Sequence, residues 1–539
     1  MTTVAANETN GANETNDPAS ATSGVAASAL SAGAAPAGGT ADVIVVGGGI
    51  TGLTVAWHLK RAGVEVVLLE ASAAVGGSIR TEHRRAPLLS SSAAGVPLRL
   101  SSAGGETAPL GDDTAQEQWH GGEFLLEKGP FNVIIRAPEF EALLDGLADR
   151  VQVVTASRAA RHRYIYRGGR LRRVPNGPLG LFTSGLLSFG GACRALRGLF
   201  LSARGRESEP TLEEFAVRRF GREVADTLLS AAIAGILAGD ISRLSAYAAF
   251  PVLEEFDRHS ISPLGRTLRR MPNMLAKMLG LAPRRRWKGL VSLDRGLGGL
   301  CTALADELGP GLRREQRVTA LQRTADGYVL DVQTPHGVQR LHARRVVLAT
   351  PARETSRLLA PLAPAAADVL ARVESASLTV INLAFRRADV AHPLDGFGFL
   401  VPRNEPAFPL MGVLWASSAF PHHAPPGVCL LRVFMGGTRT PDIVQRDPAE
   451  VVRVARAALA DTLGVTGEPL LIDVCPYPDA IPQYMLGHRE RMATVQAAVG
   501  ALPGLHVAGN YLEGVSINDC VKLGTKVAAE LSGAGLRAR

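Results

Sequence analysis

Gly47, Gly49 and Gly52 repeat the spacing G-x-G-x-x-G directly after the apolar run DVIVV. In that setting the first glycine permits a tight turn and the second lets backbone approach a pyrophosphate. The third lets helix and strand pack closely, while the helix N-terminus faces the phosphates. Glu70, eighteen residues beyond Gly52, stands where an acid binds a ribose hydroxyl. Strand, helix, second strand and acid in register make this a dinucleotide site. GGSIRT, from Gly76 to Thr81, adds a second glycine pair followed by Arg80, which suits close contact with an extended flavin dinucleotide. Far downstream, AGNYLEGVSIND sets the amides of Val515, Ser516 and Ile517 at a helix start. There they would face the pole of an isoalloxazine that gains negative charge on reduction. A nicotinamide would not need this second, distant element.

Other reactive constellations are missing from the sequence. The five cysteines are far apart and none forms a CxxC pair, which argues against a disulfide framework or thiolate metal site and fits a reducing cytosol. The twelve histidines show no HExxH-like spacing, and the close pair His422–His423 reads as a solvated loop. No metal site is expected.

These residues need a scaffold, and 539 residues with 46% hydrophobic and 20% charged content make a globular chain of two or three domains or sub-domains. The first forty residues, rich in Ala, Ser, Thr, Asn and Gly, read as a disordered tail without the pattern of a signal peptide. Residues 84–122 read as a low-complexity insertion. Thr211 and Glu214 form a capping box opening a helix from Pro210 to Leu237. The segments LTVINLAF, GFGFLVP, LMGVLWAS and CLLRVFMGG alternate as an antiparallel sheet would. RRVVLATP and LHVAGN are strands that complete the nucleotide fold begun near residue 42.

Charge is uneven. The net charge is +8, yet Arg150 to Arg206 holds twelve arginines and no acid, and Arg258 to Leu293 holds nine Lys or Arg and no acid. Within the first block, Val174 to Cys193 is uncharged for twenty residues, but its five glycines and two prolines make a poor spanning helix. Scarce aromatics and the absence of a recognisable binding fold argue against a nucleic-acid partner.

At this point the chain resembles the FAD-dependent, oxygen-using protoporphyrinogen oxidases within the amine-oxidase-like flavoproteins. The motifs are GGGITG, GGSIRT, EKGP, AGILAGD, GFGFLVP, IPQYMLGH and HVAGNYLEGVSI, between about Ala41 and Leu531. The resemblance implies an α/β plus α+β architecture: a Rossmann-like FAD-binding domain, an antiparallel-sheet substrate domain, and an inserted helical sub-domain that associates with membranes. Boundaries follow as tail 1–40, FAD-binding parts 41–83, 288–365 and 501–531, insertion 84–122, junction 123–156, helical basic sub-domain 157–287 and substrate sheet 366–500.

The implied reaction moves hydride from a porphyrinogen meso carbon to flavin N5, with O2 reoxidising the flavin and releasing peroxide. Such chemistry needs orientation more than side-chain acid–base groups, so no catalytic residue is assigned. The implied flavin contacts are Gly47, Gly48, Gly49, Ile50, Thr51, Gly52, Glu70, Ala71, Gly77, Ser78, Arg80, Gly129, Val318, Val515, Ser516 and Ile517. The implied substrate contacts are Arg136 for a propionate, with Leu400 and Trp415 lining an apolar cavity. Protoporphyrinogen IX is the favoured substrate, coproporphyrinogen III the alternative, and an amine oxidation of the same fold the third reading. The basic blocks would meet an anionic membrane surface or draw in a polycarboxylate. The implied location is the cytoplasm, at the inner face of the cell membrane, and a homodimer is left open.

Overall fold

The computed structural model describes residues 40–85, 99–101, 107–108, 122–177, 179–198, 200, 208–258 and 286–533. The reading of the tail, and that of the insertion apart from its described residues, lie outside these. Val43 to Val46 are all buried in the strand Thr40–Val46, which pairs in parallel with Val66–Leu69 on one side and Gly337–Leu348 on the other. A strand covered on both faces reads as a continuous apolar run, which is what DVIVV supplies. Among the described residues seven strands make up this sheet. Leu312–Arg313 extends one edge, and Gly327–Thr334 with Arg317–Thr324 extends the other. Leu505–Val507 adds to Gly337–Leu348 in parallel. Segments from both ends and the middle of the chain thus share one sheet. Helix Ile50–Arg61 leans on helix Ile517–Ser532 so closely that a Cβ on Gly524 would stand 2.9 Å from the Thr51 carbonyl oxygen.

Among the described residues the second sheet has nine strands, with Leu471–Pro482, Ser375–Arg386, Val428–Gly436 and Gly412–Trp415 antiparallel at its centre. It is not wholly antiparallel. Gly398–Leu400 pairs in parallel with Tyr164–Arg167, and Leu471–Pro482 with Arg99–Ser101. The insertion therefore supplies strands to this sheet. Likewise the stretch assigned to the helical sub-domain opens with a hairpin, Tyr164–Arg167 and Arg170–Arg173, turning at Gly168 and Gly169 with both φ positive. That turn matches the right-handed twist of the strands it joins.

Pairing also sorts the side chains. Leu400 lies opposite Gly412, Gly412 opposite Phe434, Leu414 opposite Arg432, Arg432 opposite Asn382 and Asn382 opposite Asp473. These residues share one face, because direction alternates along each strand. The other face, with Ile381, Leu383, Phe399, Val413, Trp415, Leu431 and Val433, packs as a core on Val451, Ala455 and Leu459 of helix Pro448–Leu463. A helical layer covers part of the first face. Thr211 and Glu214 form the capping box of helix Leu212–Phe220, but the helix breaks at Gly221, φ +93°, before a π turn and helix Ser230–Leu237. Among the described residues no helix is long and apolar enough to cross a membrane.

Candidate cofactor and substrate site

The glycine turn is built by close approach. Gly47 has φ +109°, and a Cβ there would lie 2.6 Å from the Ala349 oxygen. Its amide donates to the Leu69 oxygen at 2.8 Å, tying the turn to the sheet. Gly49 caps helix Ile50–Arg61 without a side-chain cap, and no acid occupies the first turn, so its amides are left for an anion. Glu70 accepts from the Gly48 amide at 2.7 Å and from the Ser72 amide at 2.8 Å, which fixes the carboxylate beside the turn.

The second glycine pair folds onto the first. The Gly76 amide donates to the Gly48 oxygen at 2.7 Å, and Gly77, Ser78 and Ala71 are exposed around it. Gly129 presses so closely on this loop that a Cβ would meet the Ser78 oxygen at 1.8 Å. These residues fit an extended dinucleotide. Among the described residues, a Cβ on Gly49 would meet nothing within 4 Å, and Arg80 Nε is buried with no partner. Gly47, Gly48, Gly49, Ile50, Thr51, Gly52, Glu70, Gly77, Ser78, Arg80 and Gly129 are thus brought together.

The remaining predicted residues are placed as follows. Ser516 caps helix Ile517–Ser532, but its amide donates to Asp519 Oδ2 at 3.2 Å and is spent within the cap. Val515 packs against the helical cluster around Leu212 and Ile233. Val318 is buried at a bulge, and its carbonyl accepts from Arg357 at 3.0 Å. Arg136 is exposed, with its amide on Asn518 Oδ1 at 2.8 Å, which sets it beside the start of that last helix. Leu400 is half-buried under helix Ser230–Leu237, and a Cβ on Gly235 would touch its Cδ2 at 2.7 Å.

Trp415 is on the wrong face for a cavity. It stands three residues past Gly412, the partner of Leu400, and is fully buried against Tyr164 and His392 with ring centroids 5.3 and 4.8 Å away. His423 is not solvated either. It is wholly buried on Phe420 and Phe131, and desolvation with neighbouring cations lowers its pKa to about 2.

Sequence reasoning passed over a polar row beneath the site. Lys128 Nζ lies 2.7 Å from Asp473 Oδ1 and 2.7 Å from Glu82 Oε2. Asn382 Nδ2 donates to Asp473 Oδ2 at 2.9 Å, and Arg432 Nε to Asn382 Oδ1 at 3.2 Å. Burial opposes ionisation of Asp473, but the Lys128 charge and hydrogen bond hold its pKa at about 2. The signal for this row was one charge inside an apolar strand pattern, Arg432 in CLLRVFMGG.

Glu127 is buried beside that row, accepting from the Leu297 amide at 2.6 Å and Thr81 Oγ1 at 2.7 Å. Burial pushes its carboxyl up to about 7. From about pH 4.5 to 7 the folded chain holds a proton that the unfolded chain has released, so stability falls as pH rises through that window. Glu127→Gln should remove this dependence and gain on the parent in melting temperature between about pH 5 and 8. A difference that stays constant over that range would refute the assignment.

The profile of the family described as flavin containing amine oxidoreductase matches residues 113–532, and that described as NAD(P)-binding Rossmann-like domain matches 45–100. Protoporphyrinogen oxidase of Homo sapiens is 32% identical over 515 residues, covering 91% of this chain and 98% of the human one. Chloroplastic protoporphyrinogen oxidase of Oryza sativa is 30% identical over 530 residues, covering 94% and 91%. Coproporphyrinogen III oxidase of Bacillus subtilis is 26% identical over 508 residues, covering 91% and 98%. Among solved structures, cyclohexylamine oxidase of Brevibacterium oxydans aligns with TM-score 0.61 at 16% identity, over 92% of this chain and 99% of that one. That likeness is one of fold.

Proposed function

This chain belongs to the flavin containing amine oxidoreductases, binds FAD, and from that premise we propose that it is an oxygen-dependent porphyrinogen oxidase acting on protoporphyrinogen IX. What carries the reading is the likeness to enzymes of that name over the nucleotide domain and the sheet domain together. Bound FAD would take hydride from the meso carbon of the macrocycle and pass the electrons to O2. The protein's part is to hold the macrocycle with a meso carbon against the cofactor, for which Leu400, Phe434 and the helix carrying Gly235 provide apolar walls. Coproporphyrinogen III is the second reading, supported by the Bacillus subtilis relative.

The test is to give the purified yellow protein each porphyrinogen in air and follow porphyrin fluorescence and peroxide against an enzyme-free control. Faster protoporphyrin formation upholds the first substrate, and faster coproporphyrin formation replaces it with the second. Rates no greater than autoxidation, with FAD bound, would end the porphyrinogen reading.

The proposal extends to the cytoplasmic face of the cell membrane. Leu179, Phe189 and Phe200 are 82%, 76% and 62% exposed within the acid-free block, apolar side chains among arginines that suit an anionic lipid surface. Phe189→Ser should weaken sedimentation with phosphatidylglycerol vesicles by about tenfold, the worth of one buried aromatic ring. Equal binding by parent and variant would remove this face from the proposal.

A further inference from the structure

Arg432 is 1% exposed in the middle of strand Val428–Gly436. Its Nε donates to Asn382 Oδ1 at 3.2 Å and its Nη2 to the Gly129 oxygen at 2.9 Å. The guanidinium lies between Phe131 and Phe434, with Cζ 5.3 and 5.4 Å from the ring centroids, and Nη1 has no acceptor. Among the described residues no carboxylate forms an ion pair with it.

The groups around it offset the charge only in part. Asp473 is engaged by Lys128 and Asn382, and Glu127 by Leu297 and Thr81. Tyr477 and Cys475 are weak acids, and His423 is buried without a partner on either ring nitrogen. A guanidinium does not shed its proton to escape burial, so the fold retains a positive charge that no ion pair among the described residues neutralises, and Glu127 and Asp473 act on it only through space. The carbonyl that Arg432 holds belongs to Gly129, which is pressed against Ser78, and Ser78 follows the glycine pair bridged to the phosphate turn at Gly49.

We propose that Arg432 is a positioning residue that compensates charge at the flavin site. It fixes Gly129 against the Ser78 loop and stabilises the reduced cofactor through the field of its buried charge. Two electrons and one proton entering neutral flavin leave one net negative charge. A fixed cation in a low-dielectric surround favours that state without contact. The inference rests on FAD binding alone and stands whichever substrate the enzyme takes.

The experiment measures the midpoint potential of bound FAD in the full-length holoprotein, equilibrated anaerobically with a reference dye and no porphyrinogen. Arg432→Gln keeps a donor and loses the charge, whereas Arg432→Lys keeps the charge and loses donors. The Gln variant should lose about tenfold in its preference for the reduced state, a fall of about 30 mV for a two-electron couple. The Lys variant should stay near the parent value.

If the Gln variant retains no FAD, Leu414→Glu, opposite Arg432 on the neighbouring strand, sets a carboxylate beside the guanidinium and should lower the potential in the same direction. Potentials that do not follow charge, whatever happens to melting temperature, would make Arg432 a packing residue and overturn the proposal. So would an unchanged potential with weakened binding of coproporphyrin III, which would assign the charge to a substrate carboxylate.

Discussion

Gly52→Ala should purify colourless. The added Cβ would stand 2.0 Å from the Gly47 oxygen and 3.1 Å from Ala349 Cβ. Neither neighbour can give way. The Gly47 amide is tied to the Leu69 oxygen at 2.8 Å, and its own Cα faces the Ala349 carbonyl. Helix Ile50–Arg61 must therefore move off the turn, carrying with it the uncapped amides of its first residues. Overpacking of this kind costs about 3 kcal/mol, a loss of roughly a hundredfold in affinity if it falls on FAD binding. The checks are the flavin absorbance per protein and titration of the apoprotein with FAD. A yellow variant of parental affinity would show that this turn does not hold the cofactor.

Lys128→Met should cost about 3–5 kcal/mol of stability, because it leaves the buried Asp473 carboxylate short of a cation. Arg84, at 3.4 Å from Asp473, and Asn382 stay behind but compensate only in part. In the parent the Asp473 pKa lies below its usual value, so its contribution is present above about pH 4 and lost as pH falls towards 2. The variant reverses the sign. Its carboxyl prefers the proton, so the melting deficit should shrink on acidification from about pH 7 to 5. The double variant Lys128→Met with Asp473→Asn should recover much of the loss. A single variant that melts with the parent at both pH values would show that the row carries no such energy.

What the sequence discloses depends on range. The phosphate turn is local: strand, glycines and helix follow one another, so Gly47 to Glu70 could be placed from spacing alone. Which face of a sheet a residue occupies is set by the pairing of its strand, which spacing within one segment does not give. Leu400 and Trp415 both sit in apolar, alternating segments, and only the pairing of Leu400 with Gly412 separates them. Arg432 was hidden for the same reason, since its partners Asn382 and Gly129 come from other segments.

The hairpin Tyr164–Arg173 was masked by its own arginines, which read as a charged block although its alternating pattern and glycine pair are those of strands and a turn. His423 looked like loop because His-His is polar in isolation, whereas Phe131 and Phe420 enclose it. The Ser516 cap was legible but passed over: Ser516 and Asp519 have the spacing read as a capping box at Thr211 and Glu214, and that box takes up the Ser516 amide.

The nucleotide sheet has a consequence for how the protein is made. Its first strand and helix end at Arg61, while the strand Leu505–Val507 and the helix that leans on Thr51 come from the last part of the chain. At ribosomal rates of about 5–20 residues per second, the wait between the two runs from about 20 seconds to about a minute and a half. For that time the phosphate turn exists without its neighbouring helix, on a nascent chain whose substrate sheet is already emerging. Acquisition of the pigment is then a late event. Colour reports that synthesis has passed Ser532 and that this helix has met the turn, so a ribosome that stalls earlier yields a pale chain for the proteases.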